Sequence, residues 1–202
     1  MSSAAARRVL VASTVTFIAL AAATAALGAL PGDGPVRDTL LAWTTPGVLA
    51  IMRVVNYGGD KYVLAAGCLL LFVAFPAARA RWWVWAGLMI ATFTAEGVFK
   101  LLVARPRPES LALGFPSGHA AASTAFFCAV AYLAGSLPSG RARWVVRTAA
   151  ILSIALVALA RIILRAHWPS DALGGIALGL ALASAAALLA SPSAPGGGPR
   201  RA

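Results

Sequence analysis

The sequence predicts an all-α, polytopic membrane protein: a bundle of six transmembrane helices, with short interfacial helices after the first span. Three observations predict it. The 202 residues are 60% hydrophobic and only 11% charged, with a mean hydropathy of +0.84, whereas a soluble domain carries about 25% charged residues. Six apolar runs approach the ~20 residues needed to cross roughly 30 Å of hydrocarbon. The charges, finally, sort by side once six spans are drawn.

In order, the runs lie near residues 9–30, 62–79, 82–103, 118–135, 144–164 and 171–190. The first follows Arg7 and Arg8 and is longer than the apolar core of a secretory signal, so a retained helix is expected. Residues 36–57 place Leu41, Val48, Met52 and Val55 near helical spacing, but Arg37, Asp38, Pro46 and Arg53 interrupt them. That pattern suits helices lying in the interface better than a seventh span. Pro, Gly and Arg fill the gaps between runs. Residues 1–190 read as a single domain with no internal repeat, and the tail 191–202, "SPSAPGGGPRRA", reads as disordered and cytoplasmic.

Six spans put Arg79, Arg81, Arg141, Arg143 and Arg147 on the side of both termini, with no acidic residue. All six acids fall on the other side: Asp33, Asp38, Asp60, Glu96, Glu109 and Asp171. The positive-inside rule makes the acid-free face cytoplasmic. An inner (plasma) membrane location follows, with both termini inside and the polar loops facing the periplasmic or extracellular side. The net charge of +11 is thereby a membrane signal. The basic residues form no aromatic-laced stripe, and nucleic-acid binding is not expected. Cys68 and Cys128 sit inside apolar runs, where cysteine behaves as a small hydrophobe.

The unusual polar residues gather in two outer segments, "KLLVARPRPESLALGFPSGHAAAS" and "ARIILRAHWPSDALGG". An even number of spans separates them, so they face the same side and can form one site. Each feature has an ordinary explanation on its own. Lys100 could snorkel, Ser117 could simply cap a helix, and Asp171 could favour a helix dipole. Ser170 is expected to cap the last helix.

Together they suggest more. Prolines hold Arg105 and Arg107, whose forked donors suit phosphate oxygens. Gly118 and the helix start at Ser117 offer free amides to an anion. His119 and His167 are the chain's only histidines. Asp171, four residues after His167, could fix its tautomer and leave one ring nitrogen as base or nucleophile. Two imidazoles among Lys100, Arg107 and Arg161 suit phosphoryl transfer, with one histidine attacking and the other protonating the leaving oxygen. Cations crowd these donors, so a metal-free site without cofactor is expected.

Three spaced motifs carry a resemblance: Lys100 with six residues before Arg107-Pro108; Pro116-Ser117-Gly118-His119; and Arg161, five residues before His167, with three more before Asp171. Over roughly residues 60 to 190 the chain resembles the type 2 phosphatidic acid phosphatase family. These are integral-membrane lipid phosphatases that share a site with vanadium haloperoxidases. The resemblance implies a six-helix fold and metal-independent hydrolysis of a lipid phosphomonoester or pyrophosphate, of the polyprenyl pyrophosphate, phosphatidylglycerol phosphate or phosphatidic acid type. It implies His167 as nucleophile forming a phosphohistidine, Asp171 orienting it, and His119 as general acid. Lys100, Arg107, Ser117, Gly118 and Arg161 would bind phosphate, with Arg105 as a further contact. One departure is Ala160, where the family usually has serine before its arginine. The alternative is a non-catalytic binder or transporter of anionic lipids, which would have no need of an oriented imidazole. Haloperoxidase chemistry belongs to soluble relatives, and six apolar runs argue against it.

Overall fold

A computed structural model describes residues 2–191. The expected disordered tail lies outside the described residues, except for Ser191. The first helix, α1 (Ser3–Leu27), begins where the Ser2 hydroxyl accepts from the Ala5 amide and ends at Gly28, whose φ of 70° suits glycine. Two short helices follow, α2 (Asp33–Ala42) and α3 (Pro46–Asn56). Thr45 caps α3 and Pro46 occupies its first turn, where a missing N–H costs nothing. A 3₁₀ turn at Tyr57–Gly59 leads to α4 (Lys61–Ala74), capped by the Asp60 carboxylate on the amides of Tyr62 and Val63.

The remaining elements are α5 (Pro76–Ala80), α6 (Trp82–Val103), the hairpin β1 (Pro106–Arg107) and β2 (Ser110–Leu113), α7 (Gly118–Leu133), α8 (Gly140–Ile163) and α9 (Pro169–Ala190). Among the described residues, five helices are long and apolar enough to cross a membrane: α1, α6, α7 with its 3₁₀ extension, α8 and α9. The number rises to six if α3 and α4, bent by 56° at Asp60, form one broken span. The run at 62–79 therefore differs from expectation. Pro76 forces Phe75 into extended backbone and ends α4 at Ala74. Fourteen helical residues reach only about 21 Å. Residues 36–57 are helical, but broken by Thr44 and Thr45 into two pieces.

At the acid-free end, arginines serve the helix termini. Arg79 donates to the carbonyls of Phe72 and Val73, Arg81 to Leu189 and Arg143 to Leu137. The first three are orphan carbonyls that a helix leaves at its C-terminus, and Leu137 follows the 3₁₀ turn after α7.

The centre of the bundle is α9, packed against α1 and α7. Its mean side chain is small, and smallness is what the packing needs. A Cβ at Gly175 would stand 2.9 Å from the Ala120 methyl, and one at Gly179 would stand 2.6 Å from the Ala121 carbonyl and the Thr124 Cβ. Backbone meets backbone, as in other membrane helix pairs where dispersion replaces the hydrophobic effect. From the other side Phe17 of α1 meets Phe99 edge-on at 4.6 Å and stacks on the fully buried Phe115 at 5.9 Å. Large apolar residues such as Leu69, Leu70, Ile90 and Leu101 are exposed on the outer faces, as a lipid-facing surface requires.

Because main chain cannot yield at Gly179, Gly179→Leu should overpack the α7–α9 seam. We expect a loss of about 1–3 kcal/mol, read as a lower midpoint of thermal unfolding in detergent. The same change at Gly87, where an added Cβ would meet nothing within 4 Å, should leave the midpoint nearly unchanged.

Candidate active site

Four helix ends converge at one end of the bundle: the C-termini of α6 and α8 and the N-termini of α7 and α9. Lys100 comes from the last turn of α6 and Arg161 from the last turn of α8. Gly118 and His119 open α7, and His167 occupies the turn before α9. With Arg107 of the hairpin, these six residues line one cavity of about 360 Å³. Residues far apart in sequence thus meet because alternate helices return to the same side.

Asp171 stands behind His167. Its Oδ2 lies 3.3 Å from His167 Nδ1 and accepts from the Trp168 amide at 3.0 Å. Oδ1 accepts from Arg105 at 3.1 Å. Both Asp171 and His167 are almost wholly buried. With Nδ1 engaged by a carboxylate, Nε2 is the ring nitrogen left for the cavity. Burial pushes the imidazole down against the raising effect of the Asp171 hydrogen bond, and Arg161 and Arg107 add to the fall. The result is about 4, against an ordinary 6.5, so His167 is neutral near pH 7 with a free lone pair.

The cations are held by groups that leave donors to spare. Arg161 gives one nitrogen to Asn56 Oδ1 at 2.6 Å, and Arg107 gives Nε to the Leu113 carbonyl at 3.2 Å. Lys100 pairs with Glu96 one turn earlier on α6. A Cβ at Gly118 would sit 2.7 Å from Glu96 Oε1 and displace that side chain. Gly59 is the tighter constraint, since a Cβ would come within 2.7 Å of the His119 Cβ and 2.8 Å of its carbonyl oxygen. The 3₁₀ turn therefore packs directly on the second histidine.

Three expectations need correction. Arg105 does not line the cavity. Its guanidinium is buried behind Asp171, donating to Ser170 Oγ at 2.6 Å, to Asp171 and to Asp33 Oδ2 at 2.6 Å. Prolines on either side of Arg107, with the hairpin between, turn Arg105 inward and Arg107 outward. Ser170 does not cap α9: Trp168 holds that position and Ser170 donates its hydroxyl to Asp33 at 2.8 Å. Ser117 is positioned as the cap of α7, but its hydroxyl bonds no helix amide. Its own amide donates to the Asp171 carbonyl at 2.9 Å, and Oγ is buried without a partner among the described residues.

Asp60, Lys61 and Glu96 also line the cavity, and sequence reasoning missed all three, as it missed Asn56 and Asp33. One signal was available. Glu96 is an acid inside an apolar run, one turn from Lys100, where an unpaired charge would be costly. For Asp33 and Asn56 no local pattern exists, because their partners lie 72 and 105 residues away.

The sequence model of the PAP2 superfamily matches residues 81–193. The decaprenylphosphoryl-5-phosphoribose phosphatase of Mycobacterium tuberculosis is 36% identical over 152 residues, covering 66% of this chain and 76% of the relative. Two crystal structures share the fold. A PAP2-type phosphatidylglycerolphosphate phosphatase from Bacillus subtilis superposes with a TM-score of 0.79 at 23% identity, covering 88% of this chain and 93% of that one. LpxE of Aquifex aeolicus gives 0.63 at 18% identity, over 79% and 97%. With more than half of its length matched by the family model and the motif residues gathered in one cavity, the chain belongs to the PAP2 superfamily.

Proposed function

We propose that this protein is a membrane-embedded, metal-independent lipid phosphatase that works through a phosphohistidine. The observation that carries the reading is the cavity that gathers Lys100, Arg107, Gly118, His119, Arg161 and His167, with Asp171 bonded to the buried side of the nucleophile. The phosphatase names of the relatives support it. The substrate is a lipid phosphomonoester or pyrophosphate whose apolar tail lies in the bilayer.

In the reaction, the lone pair of His167 Nε2 attacks phosphorus while the bond from phosphorus to the leaving oxygen breaks. The departing oxygen takes a proton from His119. Water then attacks the phosphohistidine, gives its proton to His119, and inorganic phosphate leaves. Negative charge on the transferring group is met by Lys100, Arg107 and Arg161 and by the free amides at the start of α7. The unspent hydroxyl of Ser117 is a further donor at that point. Asp171 keeps Nδ1 protonated and balances the positive charge that the ring acquires as it attacks. Ala160, where a serine is usual, is fully buried and removes no group from these steps.

The site opens outward, with both termini cytoplasmic, in the plasma membrane. The arginines at the opposite end, Arg79, Arg81, Arg141, Arg143 and Arg147, support this orientation. In this reading α3 and α4 together complete a sixth span, and α2 lies in the interface. Residues 1–190 act as a single catalytic domain.

His167→Ala should lower phosphate release from a lipid phosphate by about 10³-fold or more while the protein still accumulates in the membrane. The panel of short-chain phosphatidic acid, phosphatidylglycerol phosphate and farnesyl pyrophosphate is assayed with EDTA present. Wild-type turnover by the variant would sink the mechanism, and silence of the wild type across the panel would favour a lipid binder.

The titration of His167 gives a second expectation. Its folded value lies below the ordinary one, so the ring stays neutral as pH falls through 6.5 and gains its proton only near 4. In His119→Asn the remaining imidazole is the only one in the chain. Histidine-selective ¹⁵N spectra of that variant should show a neutral ring down to about pH 5. A midpoint near 6.5 would contradict the burial argument.

A further inference from the structure

The Asp33 carboxylate belongs to no motif and lies outside the matched family region, yet it is only 2% exposed, against 0% for Asp171. It accepts from the amides of Leu30 and Ser170 at 2.9 and 2.8 Å, from the Ser170 hydroxyl at 2.8 Å and from Arg105 at 2.6 Å. Burial raises its carboxyl, but these donors outweigh burial and hold it below the ordinary value. Asp33 is therefore an anion, and it is bonded to the cation that bonds Asp171.

The order of charges is what matters. From α2 inward the buried row runs Asp33, Arg105, Asp171, His167. A row of Arg105 and Asp171 alone would be a closed neutral pair. Arg105 would then draw on the carboxylate that His167 depends on, and nothing would balance the imidazole when it becomes cationic. Adding Asp33 leaves the row one net negative charge, and geometry places that charge on the His167 side. The other charged or titratable groups facing His167 are Arg161, Arg107 and His119. Asp60, Lys61, Glu96 and Lys100 line the same cavity, but Glu96 is paired with Lys100, and Asp171 is the only carboxylate bonded to the His167 ring among the described residues. Ser170 binds the row crosswise, since its amide and hydroxyl both go to Asp33 while its hydroxyl accepts from Arg105.

We propose that Asp33 is a positioning residue of the reaction: by neutralising Arg105 it leaves Asp171 free to balance the charge on His167. This rests on the reading of His167 as nucleophile. It assigns a chemical task to the segment between the first two long helices.

The test compares three variants, Asp33→Asn, Arg105→Gln and the pair together. Turnover of short-chain phosphatidic acid and farnesyl pyrophosphate is measured alongside the ¹⁵N titration of His167, assigned by His119→Asn. Asp33→Asn should lower kcat at least tenfold with KM within about twofold, and should move the His167 midpoint down. Arg105→Gln removes the cation between two carboxylates and should move the midpoint up. The double variant, whose row keeps the one net negative charge of the wild type, should bring the midpoint back and recover kcat to within about threefold of wild type. A merely structural role would move the midpoint the same way in both single variants and leave the double variant worst of all. Either result overturns the proposal. Should Asp33→Asn not fold, Arg105→Gln against the double variant decides by the same midpoint, since a rise in one without a return in the other is equally fatal. The midpoint is read without turnover, so failure of the nucleophile reading, seen as an active His167→Ala, is distinguished from failure of this one.

Discussion

The carboxylate of Asp171 is the constraint on which the site depends. Its two oxygens meet the His167 ring, the Trp168 amide and the Arg105 guanidinium, and its backbone carbonyl accepts the Ser117 amide. One residue thus starts α9, orients an imidazole, anchors the first turn of α7 and closes the row that ends at Asp33. A carboxylate so deeply buried would ordinarily be an energetic burden. Here both oxygens have donors, and the charge is shared with a cation that is itself shared.

Secondary structure explains how one side chain can serve so many partners. At the third helical position of α9, Asp171 points back over the helix start, where orphan amides and the preceding turn both lie. Pro169 occupies the first position without losing a hydrogen bond. The sequence "HWPSD" is thus a compact solution to two problems, beginning a buried helix and holding a histidine at a fixed angle.

The helical class and most of the cavity were legible in the sequence, because both depend on local pattern. Apolar run length located α1, α6, α7, α8 and α9, and motif spacing located Lys100, Arg107, His119, Arg161 and His167. The parity of the spans also put their loops at one end. What local pattern could not carry was partnership across the fold. Arg105 and Arg107 are two residues apart with the same chemistry, and only the hairpin decides which faces the cavity. Asp33 reads as an ordinary loop acid until α2 is seen against α9. The helix at 61–74 fell short for a different reason: hydropathy continues past Phe75, but Pro76 does not allow the backbone to continue with it.

Packing is uneven around the cavity. On α9 fourteen residues are buried, and glycines lock it to α7 at main-chain distance, whereas α4 buries only Leu64 and Leu71. On α6, a Cβ added at Gly87 or Gly97 would meet nothing within 4 Å. The two histidines are mounted at the starts of the tightly packed α7 and α9, and of the motif residues at the cavity only Lys100 comes from α6. Such a division lets the lipid-facing wall accumulate substitutions that change which tail or headgroup fits, while the geometry at phosphorus stays as it was. A single catalytic frame can in this way be inherited by enzymes with different lipids, each altering only its wall.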